Sequence, residues 1–253
     1  MLSSTCQQFN VVGHHPVGHL AITGLRRNFG IRTNLRRAFS EPAALGEVSR
    51  HQEGDWVRVL DAPDLKLTLN SASKTRGLLF LSYQWPYCGG VFRVQKVMRR
   101  MIDDHGRARA VARTILLEGV DCGGIDGTCG CGRRCPLMFR DEWVEAAPAP
   151  AFVPAAGAGT YKRVRSAAEI LATLNWQGKR DGLTLMPEML KWTGQRLRVA
   201  KVVHQVYEVG RHAKTTRPFF LLEGLHCSGN LAKGPCHRAC TIMWHEDWLS
   251  DDV

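Results

Sequence analysis

The sequence predicts a mainly β protein of α+β type, built as two small tandem domains that each carry one short helix and one cysteine-rich loop. Three observations predict it. The chain repeats itself at long range, each copy alternates apolar and polar residues behind turn-forming residues, and three cysteines recur in the same register in both copies. A length of 253 residues with 44% hydrophobic and 23% charged residues suffices for buried cores and excludes a disordered or collagen-like chain.

The duplication comes first. An ungapped shift of 105 residues superposes Trp56 to Trp143 on Tyr161 to Trp248, with 26 of 88 columns identical. Among them are Arg58/Arg163, Lys96/Lys201, the Leu-Glu-Gly segments at 117–119 and 222–224, and Trp143/Trp248. Solenoid units run roughly 20 to 50 residues, so a period this long means one small domain used twice. The Ala, Pro and Gly content of residues 147–160 is linker composition. The chain therefore divides into a basic extension (1–52), repeat 1 (53–146), a linker (147–160) and repeat 2 (161–253).

Within each copy, Trp56-Val57-Arg58-Val59 and Tyr161-Lys162-Arg163-Val164 alternate as half-buried strands do. Asp61 with Asp64, and Ser166 with Glu169, mark the start of a short helix, and Asn70 and Asn175 suit its end. A turn at Gly89 or Gly194 leads to strands expected at 91–98, 111–118, 196–203 and 217–223. The entry Gly54-Asp55-Trp56-Val57-Arg58-Val59 resembles that of SH3-like or KOW-type barrels, which implies an SH3-like β-barrel for each repeat.

Lys and Arg outnumber Asp and Glu by 34 to 23, and the net charge of +11 is spread over the whole chain. Such a surface favours an anionic partner, nucleic acid or an acidic protein, through attraction that salt weakens, although a merely solvated basic surface has the same composition. The densest cluster, Arg93, Lys96, Arg99, Arg100, Arg107 and Arg109, reads as a hairpin and is the candidate contact for that partner. The apolar runs fall far short of the roughly 20 residues that span a membrane, so no membrane partner is expected. The first 40 residues hold five Arg and no acid, as organelle transit peptides do, but Gly24 and Gly30 weaken the helix such a peptide needs. Without a secretory apolar core the expected location is cytoplasmic, with organelle targeting left open, and the thiols are expected to be reduced.

Cys122, Cys131 and Cys135 are spaced C-x8-C-x3-C, and Cys227, Cys236 and Cys240 repeat that spacing in the same columns. Thiols that merely fill a core can drift to Ala, Val or Ser, so triads kept in register amid changed neighbours imply sulfurs that meet. Glycines between them allow backbone to wrap closely round an ion. In repeat 1 Cys88, in Tyr87-Cys88-Gly89-Gly90, is the candidate fourth ligand; its counterpart is Thr193, so repeat 2 needs a substitute, with His226 or His237 the candidates, or leaves a position open. Zinc is the first choice of metal. An iron–sulfur cluster is the second, since Cys131-Gly132-Arg133-Arg134-Cys135-Pro136 is similar to the run that closes a ferredoxin motif, and disulfides or free thiols remain open.

Together these residues resemble an uncharacterised group of small bacterial proteins that look like one copy of this unit. The match runs through Met186-Pro187-Glu188-Met189, Leu222-Glu223-Gly224, Cys227, Gly229, Cys236, Cys240, Trp244 and Trp248-Leu249, and in repeat 1 through Cys88-Gly89. The resemblance implies a shared site geometry and names no substrate.

No P-loop, dinucleotide fingerprint, His-Glu-x-x-His or nucleophile elbow occurs, which removes several large enzyme classes. Glu118 and Glu223, each four residues before a cysteine, read either as bases beside a metal or as strand-end partners of an Arg. Trp143, Trp244 and Trp248 read as core residues more readily than as base-stacking platforms. The expected function is a metal-binding tandem-repeat module that presents a basic surface to an anionic partner. The alternatives are a metalloenzyme or biosynthetic accessory enzyme with an open coordination position at the three-cysteine site of repeat 2, and a thiol redox or metal-transfer protein.

Overall fold

A computed structural model describes residues 45–103, 107–123, 132–151, 159–208, 211–230 and 234–251. The N-terminal extension up to residue 44, with its transit-like segment and Cys6, lies outside the described residues, as do Cys129 and Cys131.

Both repeats follow the same element order. Repeat 1 runs β1 (Trp56–Val59), α1 (Ala62–Thr68), a small hairpin β2 (Lys74–Thr75) and β3 (Leu78–Leu79), a 3-10 helix (Ser82–Tyr87), β4 (Val91–Ile102), β5 (Ala108–Asp121), β6 (Pro136–Arg140), a short 3-10 helix (Asp141–Trp143) and β7 (Val144–Ala146). Repeat 2 runs β8 (Tyr161–Val164), α2 (Ala167–Ala172), β9 (Lys179–Arg180), β10 (Leu183–Thr184), a 3-10 helix (Pro187–Trp192), β11 (Arg196–Glu208), β12 (Arg211–His226), β13 (Thr241–His245), a 3-10 helix (Glu246–Trp248) and β14 (Leu249–Asp251). The five-stranded sheets are antiparallel, with orders β6-β5-β4-β1-β7 and β13-β12-β11-β8-β14. The protein is mainly β, as expected. Outer strands β6 and β7 do not pair, nor do β13 and β14, so neither sheet closes into a barrel among the described residues.

Local chemistry explains the helices. Ser166 and Glu169 form the expected reciprocal cap: the Ser166 N–H donates to Glu169 Oε2 at 2.9 Å and the Glu169 N–H to Ser166 Oγ at 3.3 Å. Asp61 makes no such cap, because its carboxylate is paired with the Arg58 guanidinium. The asparagines do not end the helices, which close at Leu69 and Thr173. Their side chains instead nucleate the following turns, Asn70 Oδ1 accepting from Ala72 and Lys74 at 3.0 Å and Asn175 Oδ1 from Gln177 at 2.9 Å and Lys179 at 3.1 Å.

Each repeat has its own core. Val57, Val59, Leu65, Ile115, Phe139 and Trp143 pack together in repeat 1, and Val164, Ile170, Met189, Phe219, Trp244 and Trp248 in repeat 2. The three tryptophans are fully buried, which settles them as core residues. Two of them donate Nε1–H to a threonine from different positions of the fold, Trp143 to Thr75 Oγ1 at 2.8 Å and Trp248 to Thr173 Oγ1 at 3.0 Å.

The repeats are also interlocked. β4 and β5 lose register between Met98 and Arg100, and β11 and β12 between Val203 and Gln205, in equivalent places. Into each opening comes the cysteine loop of the other repeat: Gly132 N–H donates to Gln205 O at 2.8 Å and His237 N–H to Arg100 O at 2.9 Å. The two bonds exchange under the 105-residue shift, which is the signature of a two-fold relation within one chain. Met98, Leu116 and Ala239 form a shared apolar cluster across this junction.

Residues 45–52, grouped by composition with the basic extension, pack on repeat 1. Gly46 N–H donates to Arg99 O and Arg113 N–H to Glu47 O, both at 2.8 Å. Asp141, fully buried, accepts from Ser49 Oγ at 2.5 Å and from the Arg50 N–H at 2.9 Å, with Arg113 Nε at 3.4 Å.

Two outcomes follow. Separated fragments spanning 45–151 and 159–253 are expected to melt below the intact chain and to regain stability when mixed, read by circular dichroism, because each alone exposes the opened hairpin. His245 is fully buried in repeat 2; its Nδ1 accepts from the Asp247 N–H at 3.0 Å and its Nε2 faces Asp181 at 3.1 Å. Burial, more than the opposing pull of Asp181 and Asp247, holds its pKa below the usual imidazole value. The unfolded chain therefore takes up this proton first, and the stability present above the usual value falls as pH drops from about 7 towards 5. Denaturant unfolding should show that slope, and His245→Gln should flatten it.

Candidate metal centre at the cysteine loops

Cys122 follows β5 and Cys135 precedes β6, so the strand pair that ends there brings them side by side. The Cys122 N–H donates to Cys135 O at 2.9 Å, and the Cys135 N–H donates back to Cys122 Sγ at 3.2 Å. The same step recurs in repeat 2, where the Cys227 N–H donates to Cys240 O at 2.8 Å. The bond to the Cys122 thiol, then burial, pushes the Cys135 thiol well above the usual range, and Cys240 of the other repeat adds to the shift across the junction. Thr241, next to Cys240, donates Oγ1–H to Arg134 O at 2.9 Å, which brings the Cys240 segment beside that of Cys135.

The loop of repeat 2 closes on itself at Gly229. Its φ is +76°, the Cys236 N–H donates to its carbonyl at 2.8 Å, and its own N–H reaches Cys227 Sγ at 3.4 Å. Cys236 Sγ accepts from the Ile102 N–H of repeat 1 at 3.3 Å. Cys131, the counterpart of Cys236, lies outside the described residues.

Cys88 stands apart. It ends the 3-10 helix Ser82–Tyr87, and its thiol is pushed up by burial first and by Asp61 second. The preceding Tyr87 does reach the loop, its hydroxyl donating to Asp121 O at 2.9 Å. Among the described residues no three His, Cys, Asp or Glu side chains are drawn into one cluster able to hold a metal ion.

The two histidines differ in what their rings can offer. His226 Nδ1 lies 3.1 Å from Ala239 O; a carbonyl only accepts, so Nδ1 carries the proton and Nε2 keeps its lone pair. His237 Nδ1 accepts from the Arg99 N–H at 3.0 Å, which leaves the proton on Nε2. Burial is the main cause that lowers both pKa values, so both rings stay neutral, and Nε2 of His226 is the one fitted to a metal.

The basic cluster is divided among several tasks. Arg93 faces Glu118 at 3.7 Å, Arg99 Nε donates to Gly46 O at 3.0 Å, and Arg107 and Arg109 both meet Asp103 at 3.1 Å. Arg100 is buried at the junction, and Lys96 is close enough to His237 to lower its pKa. Glu223 pairs with Arg198 at 2.9 Å, as Glu118 does with Arg93 in repeat 1, so both glutamates serve as strand-end partners of an arginine. Lys201, singled out in the sequence only as the repeat counterpart of Lys96 and given no role there, reaches Gly123 O of the opposite loop at 3.4 Å. Its retention in both copies was the available signal.

Comparisons with models of protein families, with curated proteins and with solved structures return no match.

Gly229→Ala is expected to disrupt the loop of repeat 2, because an added Cβ would lie 1.7 Å from Cys236 O. The left-handed backbone alone costs about 1–2 kcal/mol for a residue with a side chain. The change should lower the melting temperature and raise the reactivity of Cys227 and Cys236 towards a thiol reagent.

Proposed function

We propose that this protein is a metal-stapled binding module, in which two SH3-like repeats hold zinc or an iron–sulfur cluster at their cysteine loops and offer a basic surface to an anionic partner, nucleic acid or acidic protein. The observation that carries the reading is the contact between Cys122 and Cys135, with its counterpart at Cys227 and Cys240. The strand order, with a 3-10 helix before the last strand of each sheet, supports the SH3-like assignment.

Cys122, Cys131 and Cys135 would hold the ion in repeat 1; in repeat 2 Cys227, Cys236, Cys240 and His226 would do so only once drawn together, since they do not form a cluster in this fold. A bound cation reverses the logic of the raised Cys135 pKa, since it stabilises the thiolate and expels the proton. What it supplies is folding free energy at the loops that join the repeats, which suits a staple better than a reaction centre. Lys96 and Lys201, each near the loop of the opposite repeat, offset the negative charge that thiolates bring.

Elemental analysis of protein purified anaerobically without chelator is the test. Zinc in colourless protein, or iron and sulfide with absorption near 400 nm, is expected, together with loss of the metal and a lower melting temperature in Cys135→Ser. Metal well below one equivalent per chain would overturn the reading. For the partner, the logarithm of affinity for a single-stranded oligonucleotide or a polyglutamate should fall linearly with the logarithm of salt. Affinity that does not change with salt would remove the electrostatic basis.

A further inference from the structure

We infer that Cys122 and Cys135 form an oxidation site, closing as a cross-strand disulfide by exchange with a small-molecule disulfide of the glutathione type. The register of β5 and β6 pairs Asp121 with Pro136, so the next step of the ladder sets Cys122 opposite Cys135. The backbone bond at that step is made, from the Cys122 N–H to Cys135 O at 2.9 Å. Residues opposed through such bonds have Cα atoms roughly 5.5 Å apart and side chains on one face of the ladder. A disulfide spans roughly 4.4–6.8 Å between Cα atoms, so this step accepts one without moving the strands. The reciprocal bond is diverted to sulfur: the Cys135 N–H donates to Cys122 Sγ at 3.2 Å, which draws that thiol over its neighbour.

Both ends of the loop are clamped. Asp121 accepts from the Gly123 N–H at 2.7 Å and pairs with Arg134 at 2.8 Å, so one carboxylate ties the residue after Cys122 to the residue before Cys135. Repeat 2 sets up the same opposition, with His226 paired to Thr241 and the Cys227 N–H donating to Cys240 O at 2.8 Å. There His226, the counterpart of Asp121, reaches across to Ala239 O at 3.1 Å. Different side chains thus keep one arrangement, two opposed cysteines, in each repeat. Cys122 and Cys135 are both half-buried whereas Cys227 is buried, so repeat 1 holds the accessible pair.

In the exchange, the Cys122 sulfur attacks one sulfur of glutathione disulfide and expels a glutathione thiolate. The Cys135 sulfur then attacks the Cys122 sulfur and expels the second. Both protons of the protein thiols end on glutathione, and the two electrons lost by the protein reduce one glutathione disulfide to two thiols. The link and a metal ion would claim the same sulfurs, but the inference does not depend on the metal.

The test is to incubate the reduced full chain with excess glutathione disulfide, alkylate it, digest it with trypsin without reduction and map it by mass spectrometry, measuring metal content before and after. A link between peptides 114–133 and 135–140 is expected, retained in Cys129→Ser and Cys131→Ser, lost in Cys122→Ser, and formed before any link between peptides 215–233 and 239–253. In denaturant, where Cys131 is nearer to Cys135 along the chain, the requirement for Cys122 should disappear. Absence of the link in the wild-type chain, its survival in Cys122→Ser, its loss in Cys131→Ser or a requirement for Cys122 that persists in denaturant would each overturn the inference. Prior linkage in repeat 2 would overturn the choice of repeat 1. A chain that carries no metal yet forms the link removes the metal staple and leaves this inference standing; a chain that holds metal and forms no link does the reverse.

Discussion

Two backbone hydrogen bonds hold the architecture together: Gly132 to Gln205 and His237 to Arg100. Each long hairpin opens part-way along its length, and an opened ladder leaves carbonyls that must find donors or be wet. The cysteine loop of the opposite repeat supplies them. The approach is close, since a Cβ at Gly132 would lie 2.7 Å from Val203 and one at Gly234 would lie 2.1 Å from Arg100. Hairpin and loop are therefore fitted to each other across the halves, and neither repeat completes its own structure. Arg100 is buried at this junction, with Gly234 of the opposite loop lying against its guanidinium.

The same junction gives the cysteines their setting. Cys135 and Cys240 occupy matching columns and influence each other electrostatically, although 105 residues separate them. Much of the positive charge is also consumed within the fold. Arg140 donates to the carbonyls of Thr75 and Arg76 and to Thr114 Oγ1, Arg134 pairs with Asp121 at 2.8 Å, and Arg58 and Arg113 hold carboxylates. A formal charge of +11 thus overstates the field that a partner would meet.

The legible parts of the sequence were those written in local or periodic terms. The duplication, the alternation at Val57 and Val59, the Ser166–Glu169 cap and the Gly89 and Gly194 turns each rest on neighbours a few residues apart. Strands β6, β7, β13 and β14 were missed, because at three to five residues they are too short to show a period. The reading of Asn70 and Asn175 failed because one side chain can serve a helix end or the next turn, and only the fold decides. At the site, spacing suggested that Cys122 and Cys135 lie together, and a hydrogen bond from the Cys135 N–H to Cys122 Sγ links them. The position of Cys88 beside Asp61, and the contribution of each repeat to the loop of the other, depend on contacts between distant segments that no spacing encodes.

Joining the halves in one polypeptide has a further effect. In an assembly of two identical subunits, any substitution on one side appears on the other, so a residue needed at one position is imposed on its mate. Here the covalent link frees the mates to part ways. Cys88 corresponds to Thr193, Arg140 to His245, and the acidic pair around Arg58 to serines around Arg163. One half can keep its old inventory while the other is retooled, and the shared junction keeps both halves in register.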